Sequence, residues 1–252
     1  MRGRMTEPAR DHQKGRFKTT RWSLVLALRE DGAREALSTL CEIYWTPVYA
    51  FIRRSGRPVE DARDLTQAFF TAVIDKGHFA KARQERGRFR SFLLSAVRNF
   101  LSNEYDLSRT QMRGGGRVHL TLDFDDGEQR YARQPADTLT PEEVFARQWA
   151  ADALDAALDR LDARHRAGWM KDSRFYDPLR RFVLDEPDES YATLAARLSS
   201  SEGSLRVMLH RMRQQFQVAL REVVADTVQD DDAVDAELRE MLAIVSRGRL
   251  ER

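Results

Sequence analysis

The chain has a single cysteine, Cys41, among its 252 residues. That excludes a disulfide framework and a thiolate metal site, and it points to a reducing compartment. No apolar run approaches the roughly 20 residues needed to cross a bilayer, and the basic first residues are not followed by the apolar stretch of a secretion signal. A soluble cytoplasmic protein without membrane insertion is the expectation. The five histidines, His12, His78, His119, His165 and His210, are scattered. None lies four residues from another, so no helix presents a paired metal site. The triple glycine within 113–117 lacks the Lys-Ser/Thr that follows a phosphate-cradling loop. No Ser/His/Asp set has local support, and carboxylate pairs carry little weight among 40 acids. Neither enzymatic activity nor a metal or other cofactor is expected. Strand-like alternation is also missing beyond a few residues around Val118 and Phe124, which leaves an all-α chain.

Charge is plentiful and segregated. The totals, 42 basic against 40 acidic residues, give a net charge of only +2. Residues 81–117, however, hold nine Lys or Arg against three acids, whereas 222–240 hold eight acids against one Arg. A surface facing a polyanion and an acidic tail follow from that distribution.

Residues 1–19 are polar and basic with nothing to bury, and read as a disordered arm. Thr20 caps a helix carrying Trp22, Leu24, Val25 and Leu28. A second helix, from about Ala33, places Ala36, Leu37, Leu40, Cys41 and Tyr44 on one side. Pro47 removes a backbone donor and is expected to kink or break it before Val48, Phe51 and Ile52 resume the stripe up to Gly56. In residues 59–76, Ala62, Leu65, Phe69, Ala72 and Val73 form a buried stripe. Asp61, Asp64, Gln67 and Thr71 are left outside, with Phe70 and Ile74 beside them as apolar content for a partner. In residues 81–107, Phe92, Leu93, Ala96, Val97, Phe100 and Leu101 make a core stripe. Arg88, Phe89 and Arg90 interleave cations with an aromatic, which suits an unstacked single strand, although a packed helix with snorkelling arginines fits as well.

Periodicity fades over 108–139, which reads as a linker. Order resumes at Thr140-Pro141-Glu142-Glu143, a capping box with proline at the first helical position. The helix it opens buries Val144, Trp149, Ala153, Leu154, Ala157, Leu158 and Leu161, and a shorter helix is expected over 173–184.

The stretch 190–221 reads as two helices joined by Ser199-Ser200-Ser201. Tyr191, Leu194, Ala195 and Leu198 line the first; Ser201 caps the second. There Leu205, Leu209, Met212, Phe216 and Leu220 share one face, and Arg206, His210, Arg213, Gln214, Gln217 and Arg221 the other. No acid occurs from Ser204 to Arg221. A helix dry on one side and basic on the other has what a DNA recognition helix needs, while the same pattern in isolation also fits a solvated helix of a bundle.

Taken together, these segments resemble a bacterial RNA polymerase sigma factor of the extracytoplasmic-function (ECF) type, which keeps only the two regions called 2 and 4. EDARDLTQAFF at 60–70 is similar to the family's Asp-Leu-x-Gln signature, whose helix docks on the clamp coiled coil of core polymerase. RGRFRSFLLSAVRN at 86–99 resembles the segment that opens the −10 element. SSEGSLRVMLHRMRQQF resembles the −35 recognition helix. The RGGGR, LDFDDGE and DTLTPEEVFARQWA runs look like one subgroup with a C-terminal extension. The resemblance implies two helical domains joined by a flexible linker: region 2 over 20–107, linker 108–139, region 4 over 140–221 and an extension over 222–252. Core RNA polymerase and promoter DNA are the implied partners, with an anti-sigma factor or other regulator as a further one. Carried over residue by residue, Asp61, Asp64, Gln67 and Phe70 bind core polymerase. Arg88, Phe89, Arg90, Asn99 and Asn103 serve the melted −10 strand. Arg206, Val207, His210 and Arg211 face the −35 groove, and Arg213, read as exposed, contacts phosphate. Two positions depart from the family: Ser199 replaces a usual glycine in the turn, and Phe92 a usual tryptophan. A freestanding helix-turn-helix regulator and a DNA-free adaptor are the competing readings.

Past the recognition helix, Val234, Leu238, Met241, Leu242 and Val245 recur at helical spacing behind an acidic block at 230–232. That helix is expected either to cap the adjoining domain or to hold the acidic block near Arg206, Arg213 or the basic segment of the first domain.

Overall fold

The computed structural model describes residues 44–75, 89–107, 122–133, 138–170, 172–185, 189–228 and 231–250. The basic arm 1–19, the helix at Thr20, the stripe from Ala33 to Cys41, Arg88, the glycine run 113–117 and Asp230 lie outside the described residues, as does the side chain of Ile74.

Among the described residues every regular element is a helix. The first, α1 (44–54), continues through Pro47 without a break, contrary to expectation. Tyr44, Val48, Tyr49, Phe51 and Ile52 are all buried on it. It is followed by α2 (Val59–Asp75) and α3 (Phe89–Leu107). The expected stripes bury Ala62, Phe69 and Val73 on α2, and Phe92, Leu93 and Val97 on α3. Both buried faces reach beyond the expected stripes: Phe70 widens that of α2, and Phe89 and Arg90 extend that of α3 by one turn.

Inside the interval expected to be a linker stands α4 (Phe124–Ala132). Asp123 caps it by accepting from the Asp126 N–H, and Asp125 and Asp126 sit in its first turn, where the helix dipole favours carboxylates. It docks on α1. Phe124 meets Trp45 edge-on at 5.3 Å and Tyr49 at 5.6 Å. Glu128 accepts from the Tyr49 hydroxyl at 2.6 Å and from Arg53 Nε at 2.9 Å. The Arg53 contact, ahead of the desolvation that opposes it, holds the Glu128 carboxyl below its usual range.

The spine is α5 (Pro141–Arg166), opened by the expected capping box of Thr140 and Glu143. It closes at Gly168, whose φ of 84° lets the Trp169 N–H reach back to the Arg164 carbonyl. Over 173–184 the expected helix is shorter, a 3-10 turn (Ser173–Phe175) leading into α6 (Tyr176–Arg180). Then come α7 (Tyr191–Arg197), α8 (Glu202–Ala225) and α9 (Asp231–Leu250). Helix α8 packs chiefly along α5, and α9 lies against both. One apolar cluster runs through α1, α2, α3 and α5 to α9. Near its middle Tyr44 meets Phe89 edge-on at 5.0 Å and accepts a hydrogen bond from Trp149 Nε1 at 3.1 Å. Burial pushes the Tyr44 phenol well above its usual range, so it stays neutral.

The turn between α7 and α8 carries the strain its sequence implies. Ser199 has φ 49°, and the Ser200 N–H bonds the Ala195 carbonyl at 2.9 Å, a helix ending that glycine adopts without cost. Left-handed backbone costs an ordinary residue about 1 to 2 kcal/mol, and glycine gives part of that back in chain entropy. Ser199→Gly is therefore expected to stabilise the protein by about 0.5 to 1 kcal/mol in a thermal melt. Ser199→Val is expected to shift the midpoint the other way.

Candidate nucleic-acid interface

Ser201 caps α8 by accepting from the Ser204 N–H at 3.2 Å. The inner face of the helix buries Leu205, Leu209, Met212, Phe216, Ala219, Val223 and Val224. That burial fixes the opposite side as the one facing water, and Arg206, Val207, His210, Arg211, Gln214 and Gln217 are exposed along it. Val207, at 51% exposure, is apolar surface next to cations, a combination suited to a thymine methyl beside phosphate. Arg206 is steadied from two sides, by the Tyr191 ring at 4.8 Å and by Glu202 one turn back at 3.3 Å. Both contacts are at the surface and yield readily to a groove.

Arg213 departs from the expectation. It is partly buried, and its Nη2 donates to the Phe182 carbonyl at 2.9 Å and the Asp185 carbonyl at 3.2 Å. Those carbonyls follow α6, so Arg213 ties that segment to α8 and is not a free phosphate contact. The wheel position alone did not reveal this, because the residues that cover it come from 28 to 31 positions upstream.

On α2, Asp61 and Asp64 are exposed and Gln67 is half-buried. Phe70, expected at the partner surface, is fully buried and packs edge-on against Phe69 at 5.0 Å. It belongs to the interior because it stands at the edge of the one buried face of α2, beside Thr66, Phe69 and Val73.

The expected strand-binding set is divided. Asn99 and Asn103 are exposed on α3. Phe89 is fully buried, and its N–H donates to the Thr227 carbonyl at 3.2 Å. Arg90 is 7% exposed and lies over the Trp149 ring at 4.4 Å. Its Nε donates to Glu237 at 2.9 Å, and its Nη2 meets Glu240 at 2.6 Å. Burial pulls the guanidinium pKa down, but the two carboxylates outweigh it and leave it above its usual value. In this conformation neither Phe89 nor Arg90 is open to a strand.

The acidic partners were not singled out by the sequence reading. Of the expected stripe on α9, Val234 and Met241 are buried, Leu238 and Val245 partly so, and Leu242 is 63% exposed. Glu237 is fully buried between them. The available signal was a charge at i+3 from Val234 and i−4 from Met241, in the middle of an apolar stripe.

No family model matches the chain, and no solved structure matches it. Over 182 residues, 72% of this chain, it is 26% identical to the ECF RNA polymerase sigma factor SigE of Mycolicibacterium smegmatis. The chain spans about 60% of that relative's length. A curated homologue is thus an ECF sigma factor, which supports that family for this chain.

Proposed function

We infer that the protein is a promoter-specificity subunit of bacterial RNA polymerase. It binds core enzyme through the acidic edge of α2, reads a −35 element with α8 and holds the opened −10 strand with α3. The observation that carries the reading is the exposed basic face of α8, which from Ser204 to Arg221 holds no acid. It projects from a capped helix-turn-helix and presents Arg206, Val207, His210 and Arg211 together. Similarity to an ECF sigma factor supports it independently, as does the absence from the sequence of a local catalytic set.

In vitro transcription with core polymerase, followed by start-site mapping, tests the whole reading. Two substitutions test its parts. Asp61 lies in the first turn of α2, where a carboxylate is favoured for local reasons, so exposed Asp64 is the sharper probe. Asp64→Ala is expected to weaken core binding by about 1 to 3 kcal/mol with helicity unchanged. Arg206→Ala is expected to relax discrimination at one −35 position by about 1 to 3 kcal/mol. Sequence-specific DNA binding by a dimer, with no affinity for core polymerase, would establish a freestanding regulator instead.

A further inference from the structure

We propose that α9 is an intramolecular latch, in which Glu237 and Glu240 occupy Arg90 in place of nucleic acid and keep the first turn of α3 closed until core polymerase engages. The proposal rests on reading α3 as the strand-holding segment.

A single strand offers an arginine two things, an anionic phosphate and the face of a base. Arg90 already has both from its own chain. The carboxylates of Glu237 and Glu240 supply the anion, and the Trp149 indole at 4.4 Å supplies the face. Phe89, the neighbouring aromatic, is sealed by Tyr44 and tied through its N–H to Thr227. Both contacts that hold this turn from the C-terminal side come from residues 227–240, so they release together if α9 and the turn before it move.

A buried ion pair is a poor device for stability alone. Desolvating two charges offsets most of their attraction, and an apolar pair in the same place often does as well. It does have the property a latch needs, because either charge becomes costly to leave behind and opening is coupled to a replacement partner. Asp232, at the start of α9, is exposed, and the buried contact with α3 is made one to two turns further on. Arg206 and Arg211 remain exposed, so the latch closes the strand-holding segment and leaves the α8 face open.

The test uses the full chain, a short fluorescein-labelled single-stranded DNA of mixed sequence, and amide exchange at Phe89. Glu237→Gln keeps the size of the side chain and removes its charge. It is expected to bind the probe about tenfold more tightly at low salt and to exchange the Phe89 amide faster by a similar factor. Adding Arg90→Gln is expected to abolish the gain in binding. Glu240→Gln, at a position whose side chain is 43% exposed, carries little folding risk and is expected to give a smaller change in the same direction. Unchanged exchange and affinity in both single variants would overturn the latch and leave the reading of α3 to the transcription assay. Faster exchange with no tighter binding would show that α3 holds no strand, and both proposals would fall. Global loss of helicity in Glu237→Gln, with no effect of Glu240→Gln, would make α9 a structural cap only.

Discussion

Truncating Trp149 to alanine is expected to lower the unfolding free energy by about 3 to 5 kcal/mol, the range for emptying a buried aromatic site. Trp149 is 4% exposed on α5 and touches groups from two separate parts of the chain. Its Nε1 donates to the Tyr44 hydroxyl on α1, and its ring carries Arg90 of α3, which in turn holds Glu237 of α9. Removing it leaves a cavity, a buried phenol without its donor and an ion pair without its floor. Urea unfolding followed by circular dichroism reads the total. Trp149→Phe separates the parts, since it keeps most of the ring and is expected to lose only about 1 to 2 kcal/mol with the hydrogen bond. A double-mutant cycle with Arg90→Met is expected to show coupling, because the two residues share a contact. Additive losses would mean that the stacking contributes nothing.

The second large effect is expected at Gly127, which lies in α4 flat against the indole of Trp45. A Cβ there would stand 2.6 Å from Trp45 Cη2 and 2.7 Å from Cζ3. Trp45 is itself nearly buried, so neither ring nor helix has room to yield by that amount. Gly127→Val is expected to cost about 3 kcal/mol, the upper part of the usual overpacking range. The loss should be local, lifting α4 from α1 and breaking the Glu128 bonds to Tyr49 and Arg53. Protease cleavage within 123–133 and a shift in tryptophan emission are the readouts. Gly127→Ala is the milder control, because the helix gains about 1 kcal/mol from alanine against the clash. An undisturbed α4 in the valine variant would show that the docking seen here is looser than its contacts imply.

These two sites mark where sequence reading reached and where it stopped. Trp149 was legible as a buried position from its spacing on α5, and so were the caps at Thr140 and Ser201 and the inner face of α8. Each is a local pattern, set by residues within two turns of one another. Ser199 was legible through the resemblance, as a residue standing where glycine is usual. Helix α4 was not. It is nine residues long and polar on most of its surface, and its apolar content is shared with Trp45 and Tyr49 far upstream, so no period shows in its own sequence. The acids after Asp123 were the signal, as the first turn of a capped helix. Phe70 and Arg213 lie at the margins of their helices' apolar arcs, where a second neighbour decides between burial and exposure. Phe89 and Arg90 continue the buried face of α3 one turn towards its start. For Phe89, Arg90 and Arg213 the residues that cover them are far away in the chain: Thr227, Glu237, Phe182 and Asp185.

The Arg90–Glu237 pair joins residues 147 positions apart, and that separation has a consequence for how the protein is made. At translation rates of about 5 to 20 residues per second, the second partner follows the first by roughly 7 to 30 s. Throughout that interval the nascent chain carries α3 without the carboxylates that pair with Arg90, and Trp149 arrives well before them. Among the described helices α9 leaves the ribosome last, and it is the one that completes the surroundings of Arg90. Until then a half-made chain exposes aromatic and basic groups side by side, the surface most prone to capture by nucleic acid or by another unfinished copy.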